Sequence, residues 1–274
     1  MTGRQCQKAV ILAAGLGSRM RRADETASLS AAQRRAAADG SKAMMPFARP
    51  FLDYVLTSLA DAGFREICLV VRPQAAEVRS YYIDVASPNR FKLDFAVQSE
   101  PRGTAHATLA AEAFAAGDSF VLINGDNLYP TEALAQVRTL EGCGLVGFER
   151  DAMLGDSNVA AERITGFAVV CRDEVGDLNG IIEKPSQATL DSLPRPILLS
   201  MNCWLFDRDI FASCRAIKLS SRGEFELPDA VLHCMAAQKK RFHVVPCRRG
   251  VWDLSRQTDV PQISRMLDGR EVRL

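Results

Sequence analysis

Two hydrophobic rhythms alternate along the chain. Apolar runs at 8–13, 66–71, 120–124 and 144–149 have almost no polar interruption, as expected of strands covered on both faces of a parallel sheet. Between them, 50–62 reads as a helix, with Pro50 near its start, Gly63 after its end, and Phe51, Val55, Leu56 and Leu59 on one face. Further helices are predicted near 74–83, over 104–116 with Thr104 as cap, and over 131–140, with a strand near 91–97. From about 166 the texture changes. Strands at 166–171, 180–184, 198–206 and 242–246 stand among few helices, near 208–214, 227–238 and 258–267. Segment 20–42 is polar and Ala-rich. It reads as solvent-facing, with one short helix that Ser28 or Ser30 caps and Gly40 ends.

This alternation predicts an α/β fold with a mixed, mainly parallel sheet flanked by helices, in a single domain over 1–274. Its halves divide near 140. In such a sheet a ligand belongs where the strands end, near the point at which strand order reverses.

Charge and composition narrow the partners. The formal net charge of the 274 residues is +1, so no global field draws the chain to nucleic acid or membrane. No apolar run approaches the roughly 18 residues of a membrane span. Met1 to Lys8 is polar and precedes no signal-peptide core, which predicts a cytoplasmic protein. The eight cysteines form no Cys-x-x-Cys pair and mostly sit in apolar runs, as buried free thiols do in a reducing compartment. The three histidines complete no metal-ligand spacing.

The first strand empties into Gly15-Leu-Gly17-Ser-Arg19, a turn of the kind that brings backbone N–H groups to a phosphate and here carries its own cation. Met20 stands where a dinucleotide fingerprint needs a third glycine, strand 66–71 ends at Arg72 rather than an acid, and no Walker sequence occurs. Lys42, before Met44-Met-Pro46, is either a solvated lysine or a second phosphate contact. Gln98 and Gly103-Thr104 open a helix and suit base recognition or plain turn chemistry. Asp126, in Asn124-Gly-Asp-Asn127, is placed as a hard-metal ligand or as a cap. Glu183-Lys184-Pro185 offers a hydroxyl acceptor and a phosphate cation, or a surface ion pair. Asn202 and Trp204 share a strand face that suits a sugar pocket or edge-strand packing. Segment 222–229 reads as a helix start, and Asp253 is a second acidic candidate. No nucleophilic triad is visible.

The order of these motifs resembles the sugar-1-phosphate nucleotidyltransferases over nearly the whole chain. The resemblance rests on 12–20, 42–46, Gln98 with 103–107, Gly125-Asp126, Gly166, Glu183-Lys-Pro185, Asn202-Cys-Trp204 and Trp252-Asp253. It implies a Rossmann-like, GT-A-type fold, with 1–140 as nucleotide half and 141–274 as sugar-phosphate half. It implies that Ala13, Ala14, Gly15 and Gly17 cradle the triphosphate, and that Arg19 and Lys42 meet the departing phosphates. Gln98, Gly103 and Thr104 would hold the nucleotide, and Asp126 and Asp253 would hold Mg²⁺. Lys184 would bind the sugar phosphate, while Gly166, Glu183 and Asn202 line the sugar pocket. Two departures stand out. The stretch between Arg19 and Lys42 is longer than usual, which makes 20–42 an inserted lid segment. Asp253 also follows Trp252 directly, where one residue usually intervenes.

The implied reaction joins an NTP and a sugar 1-phosphate into an NDP-sugar and pyrophosphate. Transfer to an amino-alcohol phosphate and a non-catalytic nucleotide-sugar-binding homologue are the alternatives. A glycosyltransferase would show Asp-x-Asp where Asp126-Asn-Leu128 stands. Residues 103–107 lean toward a pyrimidine base by resemblance, and the late strands suggest a homo-oligomer.

Overall fold

Residues 5–274 are described in a computed structural model. Seven strands form the main path of the sheet: β1 (Lys8–Leu12), β2 (Glu66–Val71), β3 (Lys92–Val97), β4 (Phe120–Asn124), β6 (Cys143–Glu149), β9 (Leu198–Phe206) and β10 (Phe242–Cys247). Their order is β10-β6-β9-β4-β1-β2-β3. The pairs β3–β2, β2–β1, β1–β4 and β6–β10 are parallel, and β9 alone runs against its neighbours β4 and β6. The hairpin β7 (Ala168–Arg172) and β8 (Leu178–Ile182) extends β9, while β5 (Asn127–Leu128) and β11 (Trp252–Asp253) pair separately.

Among the described residues there are eleven α-helices: α1 (Ala31–Ala38), α2 (Phe51–Ala62), α3 (Ala76–Ser80), α4 (Thr104–Ala110), α5 (Glu112–Ala115), α6 (Thr131–Val137), α7 (Arg150–Gly155), α8 (Gln187–Ser192), α9 (Asp209–Ala216), α10 (Leu227–Gln238) and α11 (Val260–Leu267). Successive strand residues face opposite ways. Ala9, Ile11, Ile67 and Leu69 therefore join α2, α6, α7 and α11 in one core, while Val10, Cys68, Val70 and Leu122 join α4, α9 and α10 in another. The apolar runs that predicted parallel strands are buried on both faces by these two layers.

Several expectations change. Thr104 does not cap α4: Gly103 occupies the cap position, and the Thr104 hydroxyl accepts from the Leu227 amide at 2.9 Å. The helix expected over 104–116 breaks at Ala111, and that near 74–83 continues as a π-helical turn over Tyr81–Ala86. Strand β9 is internal rather than an edge, and Trp204 is fully buried, stacked on Phe206 with centroids 5.7 Å apart, so it belongs to the core and not to a sugar pocket. Segment 20–42 is polar outside but anchored: Met20, Leu29 and Ala37 are buried, and Ser30 caps α1. Among the described residues, no helix is long and apolar enough to cross a membrane.

Candidate functional site

Strand β1 lies between β2 and β4, and the chain order reverses at this point. A cleft of about 390 Å³ opens beyond the carboxyl ends of these strands. Ala13, Ala14, Gly15, Leu16 and Ser18 form its floor. The Ala13 amide donates to the Val70 carbonyl and the Gly125 amide to the Leu12 carbonyl, both at 2.9 Å, so the turns after β1 and β4 are fixed by the sheet itself. Gly17 is buried and does not line the cleft. It has φ +64°, and a Cβ there would meet the Gly40 carbonyl oxygen at 2.5 Å. The contact of Gly17 with Gly40 ties the phosphate turn to the end of segment 20–42, which brings Lys42 into the cleft.

Lys42 forms an ion pair with Asp126 at the centre of the cleft. Burial opposes its charge, but the Asp126 carboxylate, with Asp253 behind it, outweighs that and holds the ammonium above its ordinary pKa. Arg19 is close enough to act on Lys42 electrostatically, yet it does not line the cleft.

A buried polar network backs Asp126. Asn124 donates to Asn127 at 3.1 Å, Asn127 donates to Asp253 at 2.9 Å, and Ser255 donates to the same Asp253 oxygen at 3.0 Å. The other Asp253 oxygen pairs with Arg163, which also binds Asp259 at 2.7 Å. Burial first, then the Asp126 charge, push the Asp253 carboxyl up to about 6, against Arg163 and Ser255. Nothing in the spacing of 161–166 singled out Arg163. Its part depends on a 3₁₀ turn that sequence periodicity does not carry.

At the opposite wall, Gln98 is buried and donates to the Gly103 carbonyl at 3.1 Å. Gly103 has φ +103°, and a Cβ would meet the Phe225 carbonyl oxygen at 2.5 Å. The Phe225 amide donates to the Arg102 carbonyl at 2.8 Å, which zips this turn to the loop before α10. That loop turns Glu224 into the cleft. The helix predicted to start within 222–229 begins at Leu227, after a loop, and the contribution of Glu224 from that loop has no signal in sequence.

The remaining candidates lie toward β8 and β9. Asn202 lines the cleft from β9, where the register with β6 slips between Leu145 and Gly147. The slip is a bulge, and Asn202 has φ +54°. Lys184 has φ +43°, just past the end of β8. The other non-glycine residues with positive φ, Ser87, Ala116 and Lys239, all end helices, where that conformation is ordinary. Lys184 and Asn202 have no such reason, and backbone strain of this kind gathers at functional positions. Glu183 and Lys184 are exposed beside the cleft, facing Arg222, Glu226 and Asp229. Desolvation, then Glu226 and Asp229, raise the Glu183 carboxyl against Arg222 and Lys184.

The cleft thus gathers Ala13, Ala14, Gly15, Lys42, Gln98, Gly103, Thr104, Asp126 and Asn202, while Gly17, Arg19, Gly166, Glu183, Lys184 and Asp253 lie outside its lining. The sequence profile of the nucleotidyl transferase family matches residues 8–253, which includes every one of these positions. The chain belongs to that family. The resemblance drawn from its motifs is borne out.

Curated relatives of the chain include a glucose-1-phosphate thymidylyltransferase of Streptomyces antibioticus, 32% identical over 231 residues, covering 82% of this chain and 56% of the relative. One of the same name from Streptomyces griseus is 29% identical, covering 95% and 66%. A UTP–glucose-1-phosphate uridylyltransferase of Haloferax volcanii is 26% identical, covering 82% of both. The chain spans between about half and two thirds of the length of the first of these relatives. A solved UDP-glucose pyrophosphorylase bound to UDP-glucose shares the fold, with TM-score 0.75 and 18% identity over 97% of this chain and all of the other.

The donor set also bears on a metal. Among the described residues, no group of three or more His, Cys, Asp or Glu could hold one. Mg²⁺ needs less, taking one or two carboxylates and completing its shell from phosphates and water. Asp126 uses one oxygen for Lys42, and its other accepts no hydrogen bond among the described residues. Asp253 is already held on both oxygens. The residues fit Mg²⁺, with Asp126 as the available ligand and Asp253 beside it.

Proposed function

We propose that this chain transfers a nucleotidyl group from an NTP to a sugar 1-phosphate, giving an NDP-sugar and pyrophosphate. The observation that carries this reading is the cleft at the ends of β1 and β4, where Lys42 and Asp126 pair above the Gly15 turn. The attacking group is a phosphate oxygen with a second pKa of about 6, already ionised at pH 7, so no general base is needed. The residues supply alignment and charge neutralisation. Lys42 stands protonated in the cleft and, with Arg19, stabilises the departing pyrophosphate. Lys184 holds the acceptor phosphate, Glu183 and Asn202 take its hydroxyls, and the resemblance assigns Gly166 to the same sugar pocket. Asp126 would hold Mg²⁺, with the already paired Asp253 adding charge beside it, and the ion would supply Lewis-acid polarisation of the phosphorus under attack. The free thiols agree with a cytoplasmic setting.

The alternative acceptor is a phosphate ester that carries an ammonium group, which the Glu183 and Asp229 carboxylates would meet, Glu226 being paired with Arg222. One screen decides between them: pyrophosphate release from each NTP with Mg²⁺, against sugar 1-phosphates and amino-alcohol phosphates. Release with sugar 1-phosphates alone is expected. Release only with the amino compounds would transfer the assignment to the second class. Silence across the panel would leave a nucleotide-sugar-binding protein.

A further inference from the structure

The geometry points to Arg72, acting with Gln98, as the residue that selects the base of the NTP: the pair takes a base whose edge places a carbonyl beside an N–H. This rests on the nucleotidyl-transfer reading of the cleft and adds a specificity to it. Strands β2 and β3 are parallel with Val71 opposite Val97, and the Gln98 amide donates to the Val71 carbonyl at 2.9 Å. The register therefore runs one step past the strands, and Arg72 and Gln98 leave the sheet side by side. Both line the cleft together with the apolar Ala75 and Val78, on the strands two and three places away from β4, which leads to Asp126.

Their hydrogen-bonding capacities differ in kind. The Gln98 side-chain nitrogen is committed to the Gly103 carbonyl at 3.1 Å and lies 3.3 Å from His106 Nδ1. Flipping the amide would set two carbonyl oxygens against each other, so this orientation is fixed. The Gln98 carbonyl oxygen accepts no hydrogen bond among the described residues, and it faces a ligand as an acceptor. Arg72 is half-buried, and its guanidinium has no ion pair or hydrogen bond among the described residues. A guanidinium only donates. An acceptor beside a donor matches the imide edge of uracil or thymine, and the corresponding edge of guanine. Cytosine and adenine present an amino group and a bare ring nitrogen there, which puts donor against donor and acceptor against acceptor.

The test is direct binding, with no acceptor present, of UTP, dTTP, GTP, CTP and ATP to the full chain, to Arg72→Met and to Gln98→Leu, each checked for an unchanged melting curve. UTP, dTTP and GTP are expected to bind about 10- to 100-fold more tightly than CTP and ATP, the size of a base-edge discrimination. In Arg72→Met the gap should close to within about threefold, chiefly by weaker binding of the first three. Arg72→Lys, which keeps the charge without the fork, should recover only part of the gap. Equal weakening of all five in Arg72→Met would make Arg72 a phosphate contact and overturn the inference, as would a base preference that survives the substitution. If no nucleotide binds the unaltered chain, the reading of the cleft falls, and the inference with it.

Discussion

The two ends of the cleft are built by different means. At the phosphate end, parallel neighbours β1 and β4 finish together, and hydrogen bonds from Ala13 and Gly125 lock their turns to the sheet. The charged groups there are already paired, Lys42 with Asp126 and Arg163 with Asp253. At the acceptor end, β9, which runs against its neighbours β4 and β6, must bulge to present Asn202, and Lys184 holds a left-handed backbone on an exposed bend. Sheet topology therefore sets the turns of the phosphate end, with the left-handed Gly17 fixing the link to Gly40. The acceptor end depends on locally strained residues that their surroundings must hold in place.

The largest expected effects test whether this contrast extends to catalysis. Asp126→Ala should lower kcat by at least about 10²-fold, the cost of one lost charge-stabilising group. Lys184→Ala should lower kcat/KM for the acceptor by a similar factor of at least about 10², with much of the loss in the acceptor KM. Steady-state kinetics against each substrate separates the two patterns. Near-normal turnover in either variant removes that residue's role. Identical kcat-only losses in both would erase the distinction between the ends.

The same contrast explains what the sequence revealed. An uninterrupted run such as 120–124 marks a buried parallel strand, and function collects at the ends of such strands, so Gly15, Lys42, Gln98 and Asp126 were legible from order and spacing. Trp204 was open to misreading because alternation shows that two residues share a face but not which layer covers it. Thr104 followed the usual cap chemistry, but Gly103 had taken the cap and Leu227 had taken the hydroxyl. Arg163, Glu224 and the bulge at Asn202 depend on a 3₁₀ turn, a loop and a register slip, none of which has a period in sequence. Short elements such as β5, β11, α7 and α8 escaped for the same reason.

A smaller effect separates two glycines of one turn. Gly17→Ala forces a side chain onto φ +64° and against the Gly40 carbonyl oxygen, and should cost about 1–3 kcal/mol of stability. The urea midpoint should fall with an unchanged slope. Gly15→Ala meets no atom of the protein within 4 Å. It should leave the urea midpoint in place and raise the KM for the NTP, because its methyl group enters the space of the ligand. A loss of stability at Gly15 equal to that at Gly17 would show the turn to be a structural unit rather than a surface shaped for phosphate.

The smallest effect compares the firmness of the two ends through their thiols. Burial pushes Cys68 on β2 up to about 12 from an ordinary value of 9.0, with Asp94 adding to the rise. Cys171 on β7, beside the strand that leads to Glu183, is only partly buried. At pH 8 a thiol reagent should therefore modify Cys171 first, with Cys68 protected until the chain unfolds. The sign of the pH effect follows. A thiol held above its unfolded pKa adds stability that is fully present below pH 9 and is lost as the pH rises toward the folded value, because the unfolded chain ionises first. Stability should decline above about pH 9, and less steeply in Cys68→Ala than in the unaltered chain. Labelling of Cys68 as fast as Cys171 would mean that the β2 end opens as readily as the acceptor end, and that the sheet does not confer the rigidity assigned to it.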